Sequence, residues 1–152
     1  MDVLSSPSDD FHRISSKATD IGTSITYHQV DVRQTERLNV IIESIADQAG
    51  GIHGLVAAAG IQQETPALEY TAADVQKMLD VNVTGVFMTA QAVAKMMIKY
   101  NSGKGGSICL IASMSATIAN RVSDAHTAAM RTLLLQFFIY TLTNAPLNKT
   151  RA

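Results

Sequence analysis

A chain of 152 residues has room for one domain with a real core and hardly for two. Hydrophobic residues make up 47% and charged residues 16%, which excludes a disordered acidic tail or a polar linker. Twelve Lys and Arg against thirteen Asp and Glu, without a local basic cluster, argue against a nucleic-acid-binding domain, and one cysteine excludes an internal disulfide framework.

Residues 1–24 read as an irregular or partly helical lead-in. The stretch 1–10 is rich in Ser, Pro and Asp and lacks the basic start and apolar run of a signal peptide. A short helix is predicted from Phe11 to Thr19, stopping near Gly22. Ile25 to Val30 is β-branched and apolar enough for a strand that ends at Asp31. Beyond it Leu38, Ile41, Ile42, Ile45 and Ala49 fall on one stripe at helical period, and Gly50-Gly51 supplies the stop. Ile52 to Ala58 reads as a buried strand ending in Ala59-Gly60, and a loop punctuated by Pro66 follows. Thr71 and Asp74 have the spacing of a capping box. A long helix is predicted over Asn82 to Tyr100, with Val83, Val86, Phe87, Ala90, Ala94 and Met97 on one face. Ser107 to Ala112 is a further buried strand that holds Cys109 as a small hydrophobe.

Strand, helix, strand, helix, strand predicts α/β architecture with a parallel sheet. Such sheets bind ligands beyond the carboxyl ends of their strands. That rule selects Asp31, Ala59-Gly60 and Ser113, each just past a strand end. The four histidines have no metal-ligand spacing, so no metal site is expected, and a 5% aromatic content without Trp leaves no base-stacking platform. The longest apolar run, Leu133 to Tyr140, is interrupted by Gln136 and is far shorter than a bilayer requires, so no membrane anchor is expected and the default location is cytoplasmic.

Four motifs carry a family resemblance, in order and at matching spacing. They are Asp31-Val32, the run Gly54-Leu55-Val56-Ala57-Ala58-Ala59-Gly60, Asp80-Val81-Asn82-Val83-Thr84-Gly85, and the run from Gly106 to Ser113. Together they resemble the short-chain dehydrogenase/reductase family across residues 25–121, and the phrasing around Ser113-Met114-Ser115 leans toward fungal polyol-type, sorbose-reductase-like members. The resemblance implies a Rossmann-like doubly wound parallel sheet. It further implies hydride transfer between NAD or NADP and an alcohol or polyol and its ketone. In it Asp31, Val32, Ala57, Ala59 and Gly60 bind the cofactor, Asp31 at the adenine amino group and Gly60 by close backbone approach to the ribose, and Asn82 and Ser113 are catalytic. It also implies a homo-oligomer through the 82–100 helix.

Taken alone, the same residues have plainer readings: Asp31 a turn or cap residue, Gly60 a turn glycine, Asn82 a helix start, Ser113 a loop serine. The chain also departs from the family pattern. No Gly-rich turn precedes Asp31, so the expected sheet is incomplete, without its first strands and phosphate-binding loop. Ala57-Ala58 stands where Asn-Asn is usual. No Tyr-x-x-x-Lys occurs anywhere, and His126 stands thirteen residues after Ser113. Residues 122–152 read as an atypical apolar segment, from a shifted reading frame or retained intron; a genuine diverged tail, the competing reading, predicts a helix over Ala125 to Thr143. A truncated, catalytically inactive remnant, acting at most as an oligomerisation partner, is therefore the competing expectation.

Overall fold

The structure, a computed structural model, describes residues 1–102 and 105–113. The expected helix over Ala125 to Thr143, His126 and Leu133 to Tyr140 lie outside the described residues.

Helix α1 (Asp9–Asp20) starts where the Ser8 side chain accepts the Phe11 N–H, with Asp9 and Asp10 in its first turn. Acidic residues there match the positive end of the helix dipole. Helix α2 (Thr35–Ala49) buries Leu38, Ile42 and Ala46, with Ile41 packed beside them. Ala49, placed on the apolar stripe from sequence, is exposed, because the buried face drifts to Ala46 in the last turn. Gly50 ends the helix in the left-handed region, φ 72°, as only glycine does without strain.

Strand β1 (Gly54–Ala57) pairs in parallel with β2 (Ser107–Leu110), in the register Gly54 to Ser107 through Ala57 to Leu110. Both are shorter than their apolar runs in the sequence. The Ser107 N–H donates to the His53 carbonyl and the Ile111 N–H to that of Ala57. The alternation of parallel pairing therefore turns Leu55 and Ala57 toward β2 and the backbone of Gly54 and Val56 toward the opposite edge.

The strand predicted over Ile25 to Val30 is corrected: pairing is confined to one isolated parallel bridge between Asp2 and Gln29. Asp2 donates to His28 at 3.1 Å and accepts from Val30 at 2.7 Å. The N-terminal residues that read as irregular thus supply the one strand-type bridge this segment makes among the described residues.

Helix α3 (Ala72–Leu79) opens with the predicted capping box, in which Thr71 Oγ1 accepts the Asp74 N–H and the Asp74 carboxylate accepts the Thr71 N–H. It runs without a break through a π-helical turn, Asp80–Gly85, into α4 (Val86–Tyr100). The helix predicted to open at the Thr71 capping box and the one predicted over Asn82 to Tyr100 are therefore continuous, and Asn82 sits inside the turn that joins them. The combined stretch Ala72–Tyr100 is long and apolar enough to cross a bilayer, but half of its most apolar window is buried in the fold, as in a core helix of a globular protein.

Helices α2 and α4 pack on each other, and their facing side chains form the main core with Val30, Leu38, Ile42, Ala92, Val93 and Met97. Lys99 pairs with Glu43 at 3.0 Å, and the Tyr100 hydroxyl donates to Asp47 at the same seam. A second, smaller cluster joins Ala57 to Val86. Burial of the strands is one-sided. Val56 is 66% exposed and Cys109 is exposed, which corrects the expectation of buried strands with a buried cysteine. Helix α4 packs against β1 on one face, while no described element covers the face bearing these two side chains.

Candidate functional site

The carboxyl ends of the paired strands point the same way, so the register that sets Ala57 beside Leu110 also brings Gly60 and Ser113 to the same end of the sheet. Between the open edge of β1 and the Asp2–Gln29 bridge lies a recess of about 540 Å³. Val3, Val30 and Val56 form its apolar wall, and Asp31, Gly60 and Lys77 stand among its polar and loop residues.

Of the residues selected from sequence, Asp31, Val32, Ala59 and Gly60 line this recess. Ala57 does not. Strand alternation turns it away from Val56 and into the cluster with Val86, where it is 5% exposed. Asn82 and Ser113 do not line it either.

Asn82 is fully buried, and its amide acts as a clamp. Oδ1 accepts the Ile61 N–H at 2.8 Å, while Nδ2 donates to the Ile61 carbonyl at 2.9 Å and to the Met78 sulfur at 3.1 Å. Both backbone groups of Ile61 are thus held by one side chain, which fixes the loop after β1 to the π-helical turn. The turn is anchored from the other side by Val32. A Cβ on Gly85 would stand 2.5 Å from Val32 Cγ2, so only glycine permits the approach. Asp31-Val32, Gly60-Ile61 and Asn82 to Gly85, far apart in sequence, are therefore one packed unit.

Asp31 is held in a single orientation. The Arg33 N–H and Nε donate to Oδ1 at 3.0 Å each, and Nε and Nη2 donate to Oδ2 at 3.0 and 2.6 Å. These hydrogen bonds hold the Asp31 carboxyl below the ordinary aspartate range, with burial partly opposing them. Arg33 in turn is held above its ordinary value, first by that hydrogen bond and the charge of Asp31. Sequence reasoning missed Arg33. The signal was an Asp-x-Arg spacing after the β-branched stretch 25–30, which brings the two side chains together only in a tight turn; here the Gln34 N–H closes that turn on the Asp31 carbonyl.

A dinucleotide fits this arrangement in part. The recess offers apolar walls for a base and a fixed carboxylate at its rim. The helix N-terminus of α1 offers no phosphate site, since Asp9 and Asp10 occupy its first turn and Ser8 caps it. Among the described residues no three His, Cys, Asp or Glu cluster as a metal site would need.

Comparison with known proteins agrees with this placement of elements. The family model described as short chain dehydrogenase matches residues 3–131. A galactitol 2-dehydrogenase of Rhizobium johnstonii is 41% identical over 92 residues, 60% of this chain and 35% of that protein. A short chain dehydrogenase/reductase of Aspergillus versicolor is 35% identical over 101 residues, 66% of this chain and 34% of that protein. The chain thus spans about a third of the length of these relatives. Among solved structures, a short-chain type dehydrogenase/reductase from Mycobacterium marinum superposes with a TM-score of 0.76 at 29% identity, covering 85% of this chain and 52% of the other. Carveol dehydrogenase from Mycobacterium avium, solved in complex with NAD, gives 0.75 at 28% identity over 87% and 48%. The fold is the Rossmann-like α/β fold, and the chain belongs to the short-chain dehydrogenase family.

Proposed function

We propose that this chain carries the adenosine half of an NAD(P) site in an oxidoreductase that interconverts an alcohol or polyol and its ketone. The observation that carries the reading is the recess at the strand ends, with Asp31 fixed at its rim and Gly60 beside it. A nicotinamide cofactor would supply the hydride; the protein's part is to bind, orient and exclude water. Asp31 accepts the base's amino group, Val32 and Ala59 flank it, and Gly60 lets the backbone come close. Ala57 contributes through packing beneath the site. Asn82 and Ser113 belong to the substrate side: Asn82 holds the loop that carries Gly60, and Ser113 provides a hydroxyl toward the reacting oxygen. The galactitol 2-dehydrogenase relative supports a polyol as substrate class, and the fungal polyol subtype rests on the phrasing around Ser113-Met114-Ser115. The working unit is residues 25–121, completed on its free edge by the N-terminal segment at Asp2. It is cytoplasmic, and a homo-oligomer through the outer face of the 82–100 helix is its proposed assembly.

The second reading, a catalytically inactive remnant, is favoured by one feature of the sequence, the lack of Tyr-x-x-x-Lys. Loss of a general acid/base typically lowers a rate about 10²–10⁴-fold. One experiment separates the two: NADH and NADPH are titrated by nicotinamide fluorescence, and turnover is assayed with galactitol and xylitol. Saturable binding with turnover supports the oxidoreductase. Binding without turnover supports the remnant, and no binding at millimolar cofactor overturns the nucleotide site altogether.

A further inference from the structure

Arg33 engages both oxygens of the Asp31 carboxylate. Of about four acceptor positions, three N–H groups of Arg33 take most: the backbone N–H, Nε shared between both oxygens, and Nη2, at 2.6–3.0 Å. Both residues line the same recess. The Asp31 side chain is 18% exposed and that of Arg33 48%, so the guanidinium is the partner open to displacement into water.

We propose that Arg33 is a latch on Asp31: its guanidinium occupies the positions that the amino group of an adenine-type base would take, and the base enters by displacing it. The inference rests on the nucleotide reading above and adds a residue that sets selectivity within it. The displaced guanidinium keeps its charge, which water can solvate at this exposed position. The latch is closed on Asp31 when the recess is empty, and opens into solvent, where the Arg33 side chain is already 48% exposed, when a base is bound. A ligand that lacks the amino group has nothing to offer Asp31 in exchange and leaves the latch closed.

The test uses the full chain, Arg33→Met and Arg33→Lys, with adenosine and purine riboside, which lacks the amino group, as probes in calorimetric titration. Removing a partly exposed ion-pair competitor should tighten adenosine by about two- to fivefold in Arg33→Met. Purine riboside affinity should stay the same. Arg33→Lys, which keeps the charge but not the fork of donors, should move in the same direction by less, and guards against a folding defect in the Met variant. Equal or weaker adenosine binding in both variants, with the wild type binding adenosine, overturns the latch and leaves the nucleotide reading standing. No binding of adenosine or NADH by any of the three overturns both.

Discussion

Asn82 and Gly85 carry the geometry of the site through opposite means, one by filling a space and the other by leaving it empty. Replacing Asn82 by Ala strands the part-buried Ile61 N–H and carbonyl and leaves a space where the buried amide stood. An unsatisfied buried group costs about 1–3 kcal/mol, so the urea midpoint should fall by that equivalent while helix content is kept. A Gly85→Ala change drives a methyl into Val32 and should cost about 1–3 kcal/mol as overpacking does. The double variant with Val32→Ala should recover part of that loss, because the two sites share one contact. Asp31 adds a pH dependence. Its folded pKa is lowered, so its contribution to stability is present above the ordinary aspartate value and is lost as pH falls through the lower folded value. In Arg33→Met the lowering is largely removed, and the acid limb of the melting temperature measured between pH 2 and 6 should change shape accordingly.

At the scale of elements, the sequence made the helices more legible than the sheet. The α2 stripe and the Thr71–Asp74 capping box are local patterns, complete within a few residues, and the structure has both. The π-helical turn was hidden because Val81, Asn82 and Val83 look the same in either register; only the packing of Val32 on Gly85 distinguishes them. Strand length and burial were not legible, because both depend on neighbours distant in sequence. Ile25 to Val30 has strand chemistry but pairs at one residue, and Val56 and Cys109 stand on a face that no described element covers. The parity of β1, by contrast, was available: with Val56 facing the recess, Ala57 must face the core. Hydrogen exchange should show this directly. The Leu55 and Ala57 amides, turned toward β2, should exchange at least about tenfold more slowly than that of Val56, and equal rates would contradict the assigned edge.

On the scale of the whole molecule, α2, α4 and the two paired strands form one packed body, and the recess lies where its open strand edge faces the N-terminal residues. Three of the four motifs that suggested the family pack together beside that edge, while the fourth, Gly106 to Ser113, lies along β2 on the other edge of β1. Asp31-Val32, Gly60-Ile61 and Asn82 to Gly85 were legible as motifs; their mutual contacts, and Arg33, were not, since they arise from turn geometry. The central claim is that the recess receives the adenosine half of a nicotinamide cofactor. Its most direct test is an amide chemical-shift map during an NADH titration of the full chain. Saturable shifts are expected at Val3, Asp31, Ala59 and Gly60, and they should disappear in Asp31→Ala. Shifts that cluster instead on the outer face of α4, or that persist unchanged in Asp31→Ala, would contradict the account.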